Sequence, residues 1–307
     1  MQQLLKEQHH IYQLICKISN VADKRSLQCY LVGGVVRDIL LGIKNKDIDI
    51  VVVGDGLAFA DAVSDELKAY PVVKFKEFGT AMIPLENFDL EIATARKEVY
   101  QNNSRNPEVR ASDLKEDLKR RDFTVNSMAI SINKDRFGEF IDPFGGVRDL
   151  ENKRIITPLD PKETFFEDPL RMLRAVRFAA RLDFNIDPVT FFAIKEYAGR
   201  IHIVSNERIR DEFFKIITAR APSRGILMLE ECGLLTELFP EMHDLRGVEA
   251  QEGHKHKDVY YHTLKVLDNI AAFSDDPDLR LAALFHDIAK PRTKRFRQES
   301  GWTFYGR

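Results

Sequence analysis

A chain of 307 residues with 48 acidic and 46 basic side chains, net charge −2, is too long for one compact core and has no overall attraction for a polyanion. It therefore predicts two or three domains, with any nucleic-acid surface confined to a local basic face. The three cysteines, Cys16, Cys29 and Cys232, show neither metal-like spacing nor an even-numbered framework, which excludes a disulfide-built secreted scaffold and predicts reduced thiols in a cytoplasmic protein.

The first twenty residues carry Lys6, His9, His10 and Lys17 instead of an apolar run, and no later window is long enough to span a bilayer. Neither secretion nor a membrane partner is expected. Up to residue 150, apolar runs at 31–32, 48–53, 72–75, 81–85 and 128–132 alternate with helical stretches, as in a mixed sheet with helices. Beyond it, helical periodicity dominates at 170–182, 188–198, 207–219, 224–232, 261–273 and 279–288. The fold class is α+β: a mixed-sheet head followed by all-α segments.

Within the head, Gly33-Gly34 lets backbone amides approach a phosphate, and Arg37 stands in the next helical turn to add charge-assisted contacts. In Asp47-Ile48-Asp49-Ile50 the two carboxylates share one face of a strand. A pair so placed repels itself unless a cation neutralises it, and hard oxygen donors select Mg²⁺. Either half alone also fits a tight turn or a solvated acidic strand. In order, they point to metal-assisted phosphoryl chemistry.

Two metals in an in-line displacement call for a third carboxylate. Glu91 is the candidate and Asp89, on the same face of the strand, its rival. The polar segment 98–113 is expected to be a mobile loop. In Arg120-Arg121-Asp122-Phe123-Thr124-Val125-Asn126, Arg121 suits triphosphate oxygens, while Asp122 and Asn126 suit ribose hydroxyls. Gly145-Gly146, just before the change to all-α, is expected to act as a hinge.

Further on, Pro169 opens a helix for which Asp168 is the expected N-cap, and Arg171, Arg174 and Arg177 recur every three residues as one basic stripe, usually a solvated one. Asp168 and Arg171, less than a turn apart, offer an acceptor and a donor edge to a nucleobase, enough to select C and A. Ser205 begins a further capped helix. In the last fifty residues His254, His256 and His262 precede the doublet His286-Asp287.

These motifs resemble the DNA polymerase β superfamily of nucleotidyltransferases, and within it the class II tRNA nucleotidyltransferase (CCA-adding) and bacterial poly(A) polymerase family. The resemblance implies a polymerase β-like head at 1–150, a base-reading neck at 151–222, a body at 223–253 and the start of an HD-type domain at 254–307. It implies metals on Asp47 and Asp49 with Glu91 as the third acid, favoured by the Ile92-Ala93-Thr94-Ala95-Arg96 that follows. Triphosphate would lie on Gly33 and Gly34, with Arg37 and Asp38 as the family's Arg-Asp step. Further nucleotide contacts would come from Arg121, Asp122, Asn126, Glu167, Asp168, Arg171, Arg174 and Arg177, with Glu207, Arg208 and Arg210 as supports. The HD resemblance implies a second divalent metal on His262, His286 and Asp287. Relatives continue past the glycine that follows Tyr305, so the expectation is a truncated chain lacking the fourth ligand.

The implied reaction is two-Mg²⁺ transfer of nucleotides from CTP and ATP to the 3′ end of tRNA. Poly(A) polymerases carry a basic Gly-Arg-Arg-Phe-Arg-like segment where this chain has Val73-Lys74-Phe75-Lys76-Glu77-Phe78-Gly79, and CC-only enzymes lack a loop like 98–113. Full CCA addition is therefore the expectation, with CC-only, A-only or poly(A) addition as alternatives. Readings of another class are an HD phosphohydrolase, which needs the missing ligand, and a silent RNA-binding protein, disfavoured by the intact charged motifs.

Overall fold

The computed structural model describes residues 2–99, 108–247, 249–252, 255–297 and 301–303. The chain divides into two compact units, Met1–Asn152 with Ile156–Asp160, and Lys153–Ile155 with Pro161–Arg307.

The first unit is the mixed sheet with helices. Its N-terminal helices are α1 (Gln2–Glu7) and α2 (His9–Lys24); α2 buries Ile11, Ile15, Ile18 and Ala22, a spacing of three or four residues that lines one helical face. The strands are β1 (Gln28–Val32), β2 (Asp47–Val53), β3 (Val73–Phe75), β4 (Thr80–Pro84), β5 (Asp89–Thr94), β6 (Arg96–Val99), β7 (Glu108–Ala111), β8 (Ala129–Ser131) and β9 (Phe140–Ile141). Seven of them form one sheet in the order β3-β4-β5-β2-β1-β8-β9. Between strands run α3 (Gly34–Leu41), α4 (Gly56–Leu67) and α5 (Leu114–Lys119), and α6 (Gly146–Glu151) follows β9.

Strand alternation places the chemistry. In β2, Ile48, Ile50 and Val52 join the core shared with α2, α3 and α4, whereas Val51 packs on the other face with Tyr30, Val32, Ala129 and Leu118. Asp47 and Asp49 share that second face. The parallel neighbour β5 repeats the pattern with Leu90 and Ile92 buried, and the register sets Glu91 beside Asp49 and Asp89 beside Asp47.

The segment expected as a mobile loop is partly ordered. Its ends pair as the antiparallel hairpin β6–β7, closed at its base by Ser112 N–H donating to Ala95 O at 2.9 Å; residues 100–107 lie outside the described residues.

The second unit is helical: α7 (Pro161–Glu167), α8 (Leu170–Leu182), α9 (Pro188–Tyr197), α10 (Asn206–Ile217), α11 (Pro222–Glu231), α12 (Leu234–Leu238), α13 (Pro240–His243), α14 (Val259–Ala271), α15 (Pro277–Phe285) and α16 (Lys290–Thr293). Proline stands in the first turn of α9, α11 and α15, and Asp187, Asp258 and Asp276 accept amide hydrogens at the starts of α9, α14 and α15. No helix among the described residues is long and apolar enough to cross a membrane.

Arg280 of α15, only 1% exposed, ties this unit together. Its guanidinium donates to Ile217 O and Ala219 O at the end of α10, to Ser274 O, and to the Asp275 carboxylate. Arg280→Met keeps much of the volume and strands those carbonyls. Each buried acceptor left alone costs roughly 1–3 kcal/mol, so urea unfolding should show a loss of about 3 kcal/mol or more. An unchanged midpoint would mean that water replaces the guanidinium.

Candidate active site

The first unit gathers its charged motifs around the turn between β1 and α3. Gly33 has φ +72°, and a Cβ built there would lie 2.9 Å from Arg121 Nη1 and 3.2 Å from Asp49 Oδ2. Glycine is required by the backbone, because a positive φ is strained for other residues, and a side chain there would also push aside the ends of Arg121 and Asp49. Burial pushes the Asp49 carboxyl up to about 6, with the charges of Glu91 and Asp47 adding to it against the pull of Arg121 and Arg37. The charges of Asp47 and Glu91 thus stand close enough to resist the ionisation of Asp49. An all-oxygen donor set of that kind fits a hard divalent cation, which would relieve the repulsion.

Arg121 is aimed by a residue to which the sequence reading assigned no role. Asp117, fully buried in α5, accepts from Arg121 Nε at 3.2 Å and Nη2 at 3.1 Å on one oxygen, and from Arg120 Nη2 at 2.6 Å on the other. Burial opposes ionisation of Asp117, but the Arg121 and Arg120 guanidiniums more than offset it and hold the carboxyl below its ordinary value. The remaining Arg121 nitrogen lies against Gly33, which also borders Asp49.

Arg37, Asp38, Asp122 and Asn126 are all buried. Arg37 Nε donates to Asp38 Oδ1 at 2.8 Å and Nη1 to Asn126 Oδ1 at 2.7 Å, while Asn126 Nδ2 donates to Asp122 Oδ1 at 3.0 Å. Residues expected to touch triphosphate and ribose therefore also bond one another, tying α3 to the 122–126 segment.

The expected hinge is a packed turn inside the first unit. Asp142 accepts from Gly146 N–H at 2.7 Å and Val147 N–H at 3.0 Å, and Thr124 donates to the buried Asp149 at 2.8 Å. A Cβ on Gly146 would meet Thr124 O at 2.3 Å. The glycine serves close approach.

In the second unit, Asp168 Oδ1 accepts from Leu170 N–H at 3.2 Å, a cap-like contact although Pro169 holds the N-cap position. Asp168 Oδ2 accepts from Arg208 of α10 at 3.1 Å, so Arg208 does support the start of α8, whereas Glu207 and Arg210 are exposed. The arginine stripe is not a solvated one. Arg171 is buried with Nη1 3.5 Å from Glu167, and Arg177 is buried with Nε donating at 2.5 Å to Glu212 of α10. Arg174, half-buried, lies 4.0 Å from the same buried glutamate. Glu212 had no sequence signal beyond its helical position.

His262, His286 and Asp287 place one ligand atom each within 4.8 Å of one another. His286 Nε2 lies 3.1 Å and His262 Nε2 3.9 Å from Asp287 Oδ2, and Lys290 Nζ lies 2.8 Å from the same oxygen. His286 Nδ1 is 2.7 Å from Ala283 O, so that nitrogen donates to the carbonyl and Nε2 is the one turned toward Asp287. His254 and the side chain of His256 lie outside the described residues.

Family models match the chain in three places: the poly A polymerase head domain over residues 29–156, a probable RNA and SrmB-binding site of polymerase A over 183–245, and the HD domain over 259–305. The chain is 39% identical over 230 residues to an A-adding tRNA nucleotidyltransferase of Geobacter sulfurreducens, covering 73% of this chain and 26% of that protein. It is 37% identical over 277 residues to a multifunctional CCA protein of Nitrosospira multiformis, covering 87% of this chain and 63% of that protein. It thus spans less than two thirds of either curated relative. Among solved structures, a tRNA nucleotidyltransferase complexed with a primer tRNA and an incoming ATP analog matches with a TM-score of 0.70 at 32% identity, covering 88% of this chain and 75% of that one.

Proposed function

Because this chain belongs to the tRNA nucleotidyltransferase and poly(A) polymerase family, whose chemistry uses divalent metal, we propose that it transfers nucleotides from CTP and ATP to the 3′ end of tRNA, completing CCA. The observation that carries the reading is Asp49 set beside Glu91 across β2 and β5, next to a glycine turn bordered by Arg121. In the transfer the tRNA 3′ hydroxyl gives up its proton to solvent, its oxygen bonds to the α-phosphorus, the bond to the bridging oxygen of the β-phosphate breaks, and pyrophosphate leaves. Asp47 and Asp49, with Glu91 assisting, would hold Mg²⁺, which would supply Lewis-acid activation of the hydroxyl and the phosphate. Gly33 and Gly34 admit the triphosphate to backbone amides, and Arg121, held by Asp117, adds a fixed positive charge.

Within this reading the chain beyond the head divides into a neck, 151–222, a body, 223–253, and a metal-binding segment, 254–307. Asp168 and Arg171 read the base, with Glu167, Arg174 and Arg177 holding the edge in place. A second divalent ion would take His286 Nε2, His262 Nε2 and Asp287 Oδ2 once Lys290 gives up that oxygen.

Labelled CTP and ATP offered to tRNA transcripts lacking CCA, ending in one C, or ending in both, and resolved at single-nucleotide length, test the function. C, C and A followed by a stop support it. The second reading is A-only addition, favoured by the Geobacter relative, and it gives product only on the transcript already ending in both Cs. Runs of A mean tailing, and absence of product removes the transfer reading. Arg171→Ala should cut the ratio of kcat/KM values for C against A by about tenfold or more, as expected when a site loses a base-edge hydrogen bond. An unchanged ratio would place selection elsewhere.

A further inference from the structure

Asp47 stands at the first position of β2, where the strand emerges from the 42–46 loop, and its carboxylate is exposed. On one side β5 holds that entry, with Asp89 N–H donating to Lys46 O at 3.0 Å; the side-chain contact comes from Asn45, whose Oδ1 accepts the Asp47 N–H at 2.9 Å. The same side chain donates from Nδ2 to Asp38 Oδ2 at 2.8 Å, and the other oxygen of Asp38 accepts from Arg37 Nε at 2.8 Å. Every link then continues inward through Arg37 to Asn126 at 2.7 Å and from Asn126 to Asp122 at 3.0 Å. One half-buried amide thus joins a buried chain, running through α3 to the 122–126 segment, to the backbone of an acidic residue on the open face.

We propose that Asn45 is a positioning residue for the metal-binding carboxylates: it locks the backbone at Asp47 to the buried Asp38–Arg37–Asn126–Asp122 chain, so that Asp47 and Asp49 present their oxygens in one arrangement. The proposal rests on the reading that these aspartates hold the metal. Its energetic logic differs from that of a structural contact. The Asn45–Asp47 hydrogen bond lies on the solvent side, where water replaces it at little cost to the fold. A carboxylate freed to swing at its strand entry, however, loses the preorganisation that a metal ligand draws from its neighbours. Two contacts of opposite kind are needed at once, an acceptor for Asp47 N–H and a donor to Asp38, and only an amide of this length supplies both here.

The test is a Mn²⁺ titration of the chain, wild type, Asn45→Ala and Asn45→Ser, read by electron paramagnetic resonance of free Mn²⁺, with the binding lost in Asp47→Ala defining the head site. Asn45→Ala should weaken that site about tenfold, in the range found for groups that orient metal ligands. Asn45→Ser keeps an acceptor for the amide two residues on and should recover part of the loss. Thermal midpoints of the two metal-free variants should fall alike, because both lose the Nδ2 donor to the buried Asp38, and with nucleotide and tRNA kcat should fall more than KM. Wild-type affinity in Asn45→Ala, a serine variant no better than alanine, or affinities of the two variants that simply follow their midpoints would each overturn the role. A wild-type chain that binds Mn²⁺ but incorporates no nucleotide would remove the transfer reading instead, while the affinity series still decides the part played by Asn45.

Discussion

Asp49→Asn should lower nucleotide incorporation by about 10³-fold or more and, in the same protein, raise the stability of the metal-free chain at neutral pH. The first effect follows from removing a charged oxygen donor from the proposed metal site, where several kcal/mol of transition-state stabilisation are at stake and each 1.36 kcal/mol is tenfold in rate. The second follows from the raised carboxyl. Asp49 moves from its ordinary 3.8 to about 6, chiefly through burial and then through the Glu91 charge. The folded chain therefore binds this proton more tightly than the unfolded one, and the penalty for ionising it builds up as pH rises from about 4 to about 6 and stays in full above that. At 1.36 kcal/mol for each pH unit the cost reaches up to about 3 kcal/mol. Asparagine carries no such penalty. Urea midpoints in chelator should thus separate wild type and variant at pH 7.5 and bring them together near pH 4, while added Mg²⁺ should stabilise the wild type more than the variant. Equal midpoints at both pH values would show that Asp49 ionises freely, and retained incorporation would remove it from the site.

Asp117→Ala should cost about 3–5 kcal/mol of stability, the range for removing one partner of a buried pair. The fully buried carboxylate is shared between two guanidiniums, Arg120 and Arg121, whose side chains are each only 19% exposed. Without it two neighbouring guanidiniums lose the carboxylate they share. Activity should fall about 10²-fold, because Arg121 loses the support that directs it to Gly33 and Asp49, and a displacement near 1 Å at a reacting group has that effect. The pH dependence has the opposite sign to that of Asp49. The Asp117 carboxyl is held below its ordinary value, so its contribution is present above the usual carboxylate range and is lost as pH falls through the folded value. Wild type should lose this stability on acidification and the variant should have none to lose. Asp117→Asn, which keeps one acceptor, should fall between them. Denaturation curves with initial rates check both effects, and a variant as active as wild type would mean that Arg121 is held by the backbone alone.

How the chain folds was largely legible because its strands and helices bury residues in the periods that sequence displays. Ile48, Ile50 and Val52 go one way and Asp47 and Asp49 the other, as a period of two requires, and α8 runs over Leu170–Leu182 where the apolar spacing places it. The segment 98–113 reads as loop because its polar residues carry no period, yet backbone pairing of Arg96–Val99 with Glu108–Ala111 needs none. Gly145-Gly146 reads as a hinge because two glycines suggest freedom, whereas Gly146 is needed where Thr124 O comes too near for a Cβ.

By itself, the amino-acid order determined the sheet-then-helix architecture, the shared face of Asp47 and Asp49, the glycine turn, the arginines of α8 and the His-Asp doublet, all local patterns that a strand or helix translates directly into position. Only the tertiary structure decided that Glu91 stands beside Asp49, that Asp117 clamps Arg120 and Arg121, that Glu212 receives Arg177, and that Asn45 joins Asp38 to Asp47. The register of a parallel pair and the partner of a buried charge are set by packing between distant segments. A buried ion accepts whichever donor the fold brings within reach, and spacing along the chain does not reveal which one that is.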